Sequence, residues 1–165
     1  MAIFPFLLLI ISILSYGGFL PFLGYYDDEW VGVYNLTALG HSALVDYTSM
    51  DRPFWGEVWS IFGFFFGENP LVWHTAAITA RWMSSVALWL MLRLLWPERI
   101  KESSLLALLF LVYPGILQES RGFFFFFFWL QLALVFFSFG IMMKAVLSIR
   151  NRVFLHAIAL ILIIP

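Results

Sequence analysis

Long apolar stretches separated by short polar connections dominate the chain. A helix needs about 20 predominantly apolar residues to cross the hydrocarbon core of a bilayer. That rule predicts four transmembrane helices over residues 1–23, 70–96, 103–118 and 123–147, followed by a partial fifth over 153–165. The pattern therefore predicts an all-α integral membrane protein with a single membrane domain over residues 1–165.

Helix-ending residues lie where the apolar runs begin and end. Asn69-Pro70 supplies a cap and a first-turn proline for the second span. Ser103 is placed to cap the third span, and Trp96-Pro97 is expected to end the second. These signals agree with the boundaries given by hydropathy.

The connection over residues 24–69 has helical character of its own. Apolar residues recur at helical spacing over 30–44, and again after Pro53. Many of them are aromatic, and aromatic side chains favour the membrane interface. We expect two interfacial amphipathic helices on the outer surface of the bilayer, walling a cavity whose mouth carries Asp27 and Asp28.

The composition agrees with a membrane protein. Hydrophobic residues make up 63% of the chain and charged residues 12%, against roughly half and a quarter in soluble domains. The net charge of -1 and the lack of a basic cluster argue against a nucleic-acid partner. The absence of cysteine excludes disulfides and thiolate metal sites.

The distribution of basic residues predicts the orientation. Cytoplasmic connections carry an excess of Lys and Arg, and such residues flank the connection after the second span and the one after the fourth: Arg93, Arg99, Lys101, Lys144, Arg150 and Arg152. The segment over residues 24–69 holds a single arginine among seven acidic residues. The amino terminus is therefore expected in the cytoplasm and residues 24–69 outside, in an inner or plasma membrane.

Three consecutive carboxylates, Asp27, Asp28 and Glu29, follow the first span. Adjacent carboxylates cannot both ionise freely, so one of them can serve as a base for an acceptor hydroxyl. Alternatively, Asp27 or Asp28 caps the first surface helix and Glu29 adds favourable charge to its first turn. A divalent metal held by these oxygens is a further alternative.

Arg81 is expected deep in the second span or at the floor of the external cavity, opening into the same hollow as Asp27 and Asp28. An intramembrane arginine usually faces protein or water and marks a functional site, where it can bind a phosphate through two hydrogen bonds. The alternative is a salt bridge to Glu57 or Glu119. His74, at the start of the same span, is either a ligand contact or a hydrogen-bonded interface residue, and Arg121 marks an external turn.

Several short segments resemble, in order, the GT-C superfamily of polytopic glycosyltransferases, which includes the protein mannosyltransferases. They are Tyr26-Asp27-Asp28-Glu29-Trp30, Asp51-Arg52-Pro53, Asn69-Pro70-Leu71-Val72-Trp73-His74, Arg81-Trp82, Leu94-Leu95-Trp96-Pro97 and Leu111-Val112-Tyr113-Pro114-Gly115. The resemblance covers residues 24–115.

The resemblance implies a transferase that moves a sugar from a polyprenyl-phosphate donor to an extracytoplasmic acceptor. Asp27 or Asp28 would be the catalytic base or the carboxylate that orients the acceptor. Arg52, Arg81 and Arg121 are candidates for phosphate contact, and the first two match pieces of the pattern. The other candidate substrate-binding residues are Glu29, Trp30 and His74. No cofactor is required by the resemblance, and a divalent metal is left open.

Superfamily enzymes have many more spans, and this chain ends inside an apolar run over residues 161–165. We therefore expect either the amino-terminal part of such an enzyme or a chain whose end a larger assembly covers. The second hypothesis is a non-catalytic subunit of a respiratory or photosynthetic type of complex. It rests on the run of six phenylalanines over 123–128 and on the eight tryptophans, which suit contact with other membrane subunits.

Overall fold

The computed structural model describes residues 3–113 and 121–147, together with residues 158 and 161, and within them every regular element is helical. The helices are α1 Ile3–Tyr16, continued by a 3₁₀ helix Gly17–Phe22; α2 Glu29–Tyr34, continued by a π-helix Asn35–Leu39; α3 His41–Ser49; α4 Pro53–Phe66; α5 Pro70–Leu95; α6 Ile100–Val112; and α7 Gly122–Leu147.

Three helical segments are long and apolar enough to cross a membrane: Ile3–Phe22, Pro70–Leu95 and Gly122–Val146. The chain is thus an all-α protein of membrane type. Of the span predicted over 103–118, the described part is helical and belongs to Ile100–Val112, a helix of about 20 Å at roughly 1.5 Å per residue. Residues 114–118 and most of 153–165 lie outside the described residues, so the predicted count of four spans and a partial fifth is not confirmed.

The two longest helices, α5 and α7, lie side by side and run in the same direction. At their amino ends, the Trp73 ring packs on Phe123 with centroids 4.7 Å apart. Near their carboxyl ends, Leu94 lies next to Gly140. The chain between them must therefore return along the full length of α5.

Both α6 and α1 run opposite to α5. Near the start of α6, Ser104 Oγ accepts a hydrogen bond from Trp89 Nε1 at 3.1 Å. Near the end of α6, the Leu111 carbonyl accepts one from Arg81 Nε at 2.8 Å. α1 likewise begins beside Trp89, where the Phe4 ring packs at 5.0 Å, and ends beside Arg81. These four helices form the bundle.

The phenylalanine run at the start of α7 packs against α4. Trp59 stacks on Phe123 with centroids 5.1 Å apart and donates its indole N–H to the Phe123 carbonyl at 3.2 Å. Four of the six phenylalanines are buried: Phe123, Phe124, Phe126 and Phe127. The run therefore forms part of the chain's own aromatic core.

The segment over residues 24–69 contains three α-helices, and the prediction of two was wrong. Gly40 has φ of 90°, in the left-handed region that favours glycine, and this residue separates the π-helical end of α2 from α3. The helix expected after Pro53 is present as α4.

The predicted boundaries of α5 are confirmed, and the predicted start of α6 at Ser103 is wrong. Asn69 Oδ1 accepts a hydrogen bond from the Leu71 N–H at 3.0 Å, and α5 ends at Leu95, before Trp96-Pro97. Ser103 does not cap α6, because the helix already begins at Ile100. Its hydroxyl instead donates to the Arg99 carbonyl at 2.9 Å.

We predict that Gly122→Ala separates the amino ends of α5 and α7. An added Cβ would lie 2.8 Å from the backbone nitrogen of His74, which cannot move without shifting α5. Overpacking of this kind costs about 1–3 kcal/mol. Thermal unfolding in mild detergent should show a lower Tm than for the wild type. Gly18→Ala is the control, because nothing lies within 4 Å of its added Cβ, and equal Tm values for the two variants would contradict the prediction.

Candidate functional site

A cavity of about 260 Å³ lies between the 3₁₀ segment after α1, the middle of α5 and the start of α7. Its walls are mainly apolar and include Phe19, Leu20, Ala77, Ile78, Phe125 and Trp129. His74 and Arg81 of α5 supply two of its polar side chains. The cavity thus combines apolar walls with a guanidinium group.

Arg81 is held rigidly at this cavity, with only 3% of its surface exposed. Its Nε donates to the Leu111 carbonyl at 2.8 Å and its Nη2 to the Tyr113 carbonyl at 3.1 Å. The guanidinium carbon lies 4.2 Å from the ring centre of Tyr16 and 4.6 Å from that of Trp129. These contacts fix the guanidinium in place before any ligand arrives.

The salt bridge considered for Arg81 is not formed with Glu57. That carboxylate lies 3.3 Å from Nε2 of His41, on the surface formed by α3 and α4. Glu119, the other partner considered, lies outside the described residues.

His74 connects the cavity to the first loop. It is buried, and its Nε2 lies 2.9 Å from the Gly24 carbonyl, within hydrogen-bonding distance. Gly122 packs against its ring. His74 therefore lies where the cavity, the loop that contains Gly24 and the start of α7 meet.

Asp27 and Asp28 bind Arg121. One Nη of Arg121 pairs with Asp27 Oδ2, and the other donates to Asp28 Oδ1 at 3.2 Å. Asp27 adopts φ of 52°, a left-handed conformation that aspartate tolerates better than most residues. Asp28 occupies the residue before α2 but makes no capping hydrogen bond through its side chain. The capping role proposed for these aspartates is therefore wrong.

Glu29 caps α7 instead of merely adding charge to the start of α2. Its carboxylate is fully buried. Oε1 accepts hydrogen bonds from the N–H groups of Phe123 at 2.7 Å and Phe124 at 3.2 Å. Oε2 accepts one from the Tyr26 N–H at 3.2 Å. Glu29 thus makes a structural contact between two distant parts of the chain, and its predicted substrate contact stays a prediction.

Burial raises the pKa of Glu29 from 4.5 to about 7. The backbone donors around the carboxylate, and the nearby Arg121, lower the pKa but do not offset the loss of solvent. Burial is also the largest cause that raises the pKa of the neighbouring Tyr25 hydroxyl, which donates to the Glu68 carbonyl at 3.0 Å.

Two further candidate residues lie away from the cavity lining. Arg52 pairs with Asp51 at 3.1 Å, and its guanidinium carbon lies 4.8 Å from the ring centre of Trp55. Trp30 is 60% exposed and packs edge-on against Tyr25. The structure therefore brings Arg81 and His74 together at one cavity. It brings Asp27, Asp28 and Arg121 together at a separate place, next to the start of α7.

Neither aspartate lines the cavity that contains Arg81, contrary to the expectation that all three share one hollow. The acidic residues and the Arg81 cavity nevertheless contact adjacent parts of α7. Glu29 caps Phe123 and Phe124, and the next residue, Phe125, lines the cavity. As for metal ligands, residues 3–113 and 121–147 contain no cluster of three or more His, Cys, Asp or Glu side chains placed to bind an ion.

Tyr16 and Trp129 were missed as site residues. Both rings face the Arg81 guanidinium, and the Tyr16 hydroxyl donates to the Leu111 carbonyl at 3.0 Å. Tyr16 is the only tyrosine in the first span, and a polar aromatic residue in an apolar span was a usable signal. Trp129 carried none, because it directly follows the phenylalanine run.

Comparison of the chain with protein-family models, with curated proteins and with solved structures gives no match. The functional assignment therefore rests on the residues and their geometry.

The pKa of Glu29 predicts how stability depends on pH. Because the folded-state pKa of about 7 lies above the ordinary 4.5, the folded chain holds more protons between these values. The contribution of Glu29 to the free energy of unfolding is therefore greatest near pH 4.5. It falls by on the order of 3 kcal/mol as the pH rises to about 7. Melting temperatures of Glu29→Gln should lack this component of the pH dependence.

Glu98→Gln, an exposed carboxylate at the opposite end of the bundle, is the matched control and should keep the wild-type profile. A Glu29→Gln profile with the same slope as the wild type over this pH range would contradict the assignment.

Proposed function

We propose that the chain is a membrane-embedded glycosyltransferase module of GT-C type. Its Arg81 cavity binds the phosphate of a polyprenyl-phosphate sugar donor, and the acceptor approaches at Asp27 and Asp28. One observation carries the proposal: a fixed, almost fully buried guanidinium lines a cavity whose other walls are mainly apolar.

A polyprenyl phosphate matches both features of this cavity. The guanidinium can donate to phosphate oxygens, and the apolar walls can contact the first isoprene groups. A phosphate leaving group gains negative charge as the bond to the sugar breaks, and preorganised donors in a dry site stabilise such charge best. At about 260 Å³ the cavity fits the phosphate and its neighbouring groups, and the rest of the tail would remain in lipid.

In this proposal the acidic residues act next to the cavity. Asp27 and Asp28 are well exposed, with 69% and 53% of their side chains accessible, so an acceptor hydroxyl can reach them from water. Arg121 would stay beside them and contact the donor or acceptor. Arg52, Trp30 and His74 are the remaining candidate substrate contacts, and no metal ligand or cofactor is assigned.

We also propose that the chain between α5 and α7 makes a fourth crossing and that the run over 153–165 forms a partial fifth. The parallel arrangement of α5 and α7 supports the fourth crossing, because α6 covers the first part of the return path. Arg93, Arg99, Lys101 and Lys144 all lie at one end of the bundle. Because cytoplasmic ends are rich in Lys and Arg, this supports a cytoplasmic position for that end and for the amino terminus, with residues 24–69 outside.

A second candidate function is a non-catalytic subunit of a membrane complex. It is favoured by one observation: all three carboxylates of the acidic stretch already have partners within the chain, through Arg121 and the start of α7. Recovery of the chain as a lone species in mild detergent would count against this candidate.

We predict that Asp27→Asn or Asp28→Asn lowers sugar transfer by about 100-fold, the usual minimum for loss of a general base. The measurement is transfer of radiolabelled sugar from polyprenyl phosphate by membranes that contain the full-length protein. Asp46→Asn removes an exposed carboxylate on α3 and should leave transfer unchanged. Unchanged transfer in both Asp27→Asn and Asp28→Asn rejects the catalytic assignment.

Arg81→Gln should lower transfer by about 100-fold or more, because the variant loses a preorganised donor to the phosphate. Arg81→Lys keeps the charge but loses the planar fork, so it should recover only part of the activity. A Tm close to the wild-type value in Arg81→Lys, together with reduced transfer, would separate phosphate contact from a purely structural role. Full transfer in Arg81→Gln would contradict the proposal.

A further inference from the structure

A second cavity lies at the opposite end of the bundle, between the carboxyl-terminal halves of α5 and α7. Its volume is about 400 Å³. Most of its lining is apolar and includes Leu90, Leu94, Phe136, Phe137 and Ile141. Two cationic side chains, Arg93 and Lys144, complete the lining. We refer to this cavity as the basic groove.

The two cations lie at equivalent places, each in the last turn of its helix. Within residues 3–113 and 121–147, neither forms an ion pair with a carboxylate. Helix carboxyl ends favour cations, which accounts for each residue separately. It does not account for both of them lining one apolar groove.

Arg93 packs against an aromatic ring and has a buried donor without an acceptor among the described residues. Its guanidinium carbon lies 5.1 Å from the ring centre of Trp89, and that ring is itself fixed by a hydrogen bond to Ser104. Among the described residues, Arg93 Nε is buried and has no hydrogen-bond partner. Buried donors are almost always satisfied, so this part of the bundle lacks a polar partner among the described residues.

We propose that the basic groove binds one anionic phospholipid. The phosphate would accept hydrogen bonds from Arg93 and Lys144, and an acyl chain would lie along the apolar lining between α5 and α7. The occupant follows from the chemistry of the lining: two cations at the helix ends require an anion, and an apolar groove that continues from them requires an attached hydrocarbon chain. Basic pockets between transmembrane helices are known to bind anionic lipid headgroups in this way.

This inference is independent of the proposed transferase activity. The basic groove and the Arg81 cavity lie at different heights along α5 and share no lining residue. Loss of lipid binding at one end can therefore be measured whatever the outcome of the transfer assay.

The test is native mass spectrometry of the full-length protein in mild detergent, with added phosphatidylglycerol or phosphatidylcholine. We expect one phosphatidylglycerol to be retained under conditions that remove phosphatidylcholine. Each basic residue near a headgroup contributes roughly 1 kcal/mol, so Arg93→Gln/Lys144→Gln should weaken phosphatidylglycerol binding by about thirtyfold. Glycerol phosphate, which has the headgroup but no acyl chain, should not bind measurably.

Two variants separate the groove from general attraction to the basic end of the bundle. Arg99→Gln/Lys101→Gln removes the same charge at the same end but outside the groove, and should keep phosphatidylglycerol bound. Gly140→Leu fills the groove next to Leu94 without changing charge, and should lose binding. Equal loss in the two charge-removing variants, equal retention of the two lipids, or wild-type binding by Gly140→Leu would each overturn the proposal.

Discussion

The buried carboxylate of Glu29 determines how the first loop meets the last long helix. It accepts hydrogen bonds from two N–H groups at the start of α7 and one from Tyr26, and thereby satisfies donors that a helix cannot pair internally. The helix amino terminus also favours a negative charge on this carboxylate, but burial outweighs that effect and raises its pKa to about 7. With Glu29 in place, Asp27 and Asp28 lie against Arg121, one residue before α7.

This contact positions both halves of the candidate site. Because the start of α7 is fixed at Glu29, the rings of Phe125 and Trp129 are carried to the cavity wall, and Trp129 lies against Arg81. His74 is then held between Gly24 and Gly122. The Arg81 guanidinium and the three consecutive carboxylates are thus linked by one helix, although they do not share a cavity.

Hydropathy and helix-ending residues were enough to predict the fold class and the bounds of α5, since Asn69-Pro70 and Trp96-Pro97 act locally. The role of Glu29 could not be predicted in this way, because its partner Phe123 lies 94 residues further along the chain. The partners of the phenylalanine run over residues 123–128 could not be predicted from the sequence either. A run that covers every face of a helix contains no signal for its partners, which include Trp59 on α4 and Trp73 on α5.

The two ends of the bundle differ in charge, and this difference gives each end its own chemistry. Acidic residues and the Arg81 cavity lie towards one side, and the basic groove lies towards the other. Both cavities combine apolar walls with an arginine held against aromatic rings. An arginine placed in this way is suited to a phosphate carried on a hydrocarbon chain, which is the ligand class proposed for each.

Photo-crosslinking tests the central claim most directly, namely that the Arg81 cavity binds a lipid-linked phosphate. A polyprenyl phosphate with a photoreactive group in its first isoprene unit would be irradiated with membranes that contain the full-length protein. The account predicts label on the peptide around Phe125 and Trp129, displaced by unlabelled polyprenyl phosphate and absent in Arg81→Gln. Label confined to the outward-facing side of α1, or label that the unlabelled lipid does not displace, would contradict it.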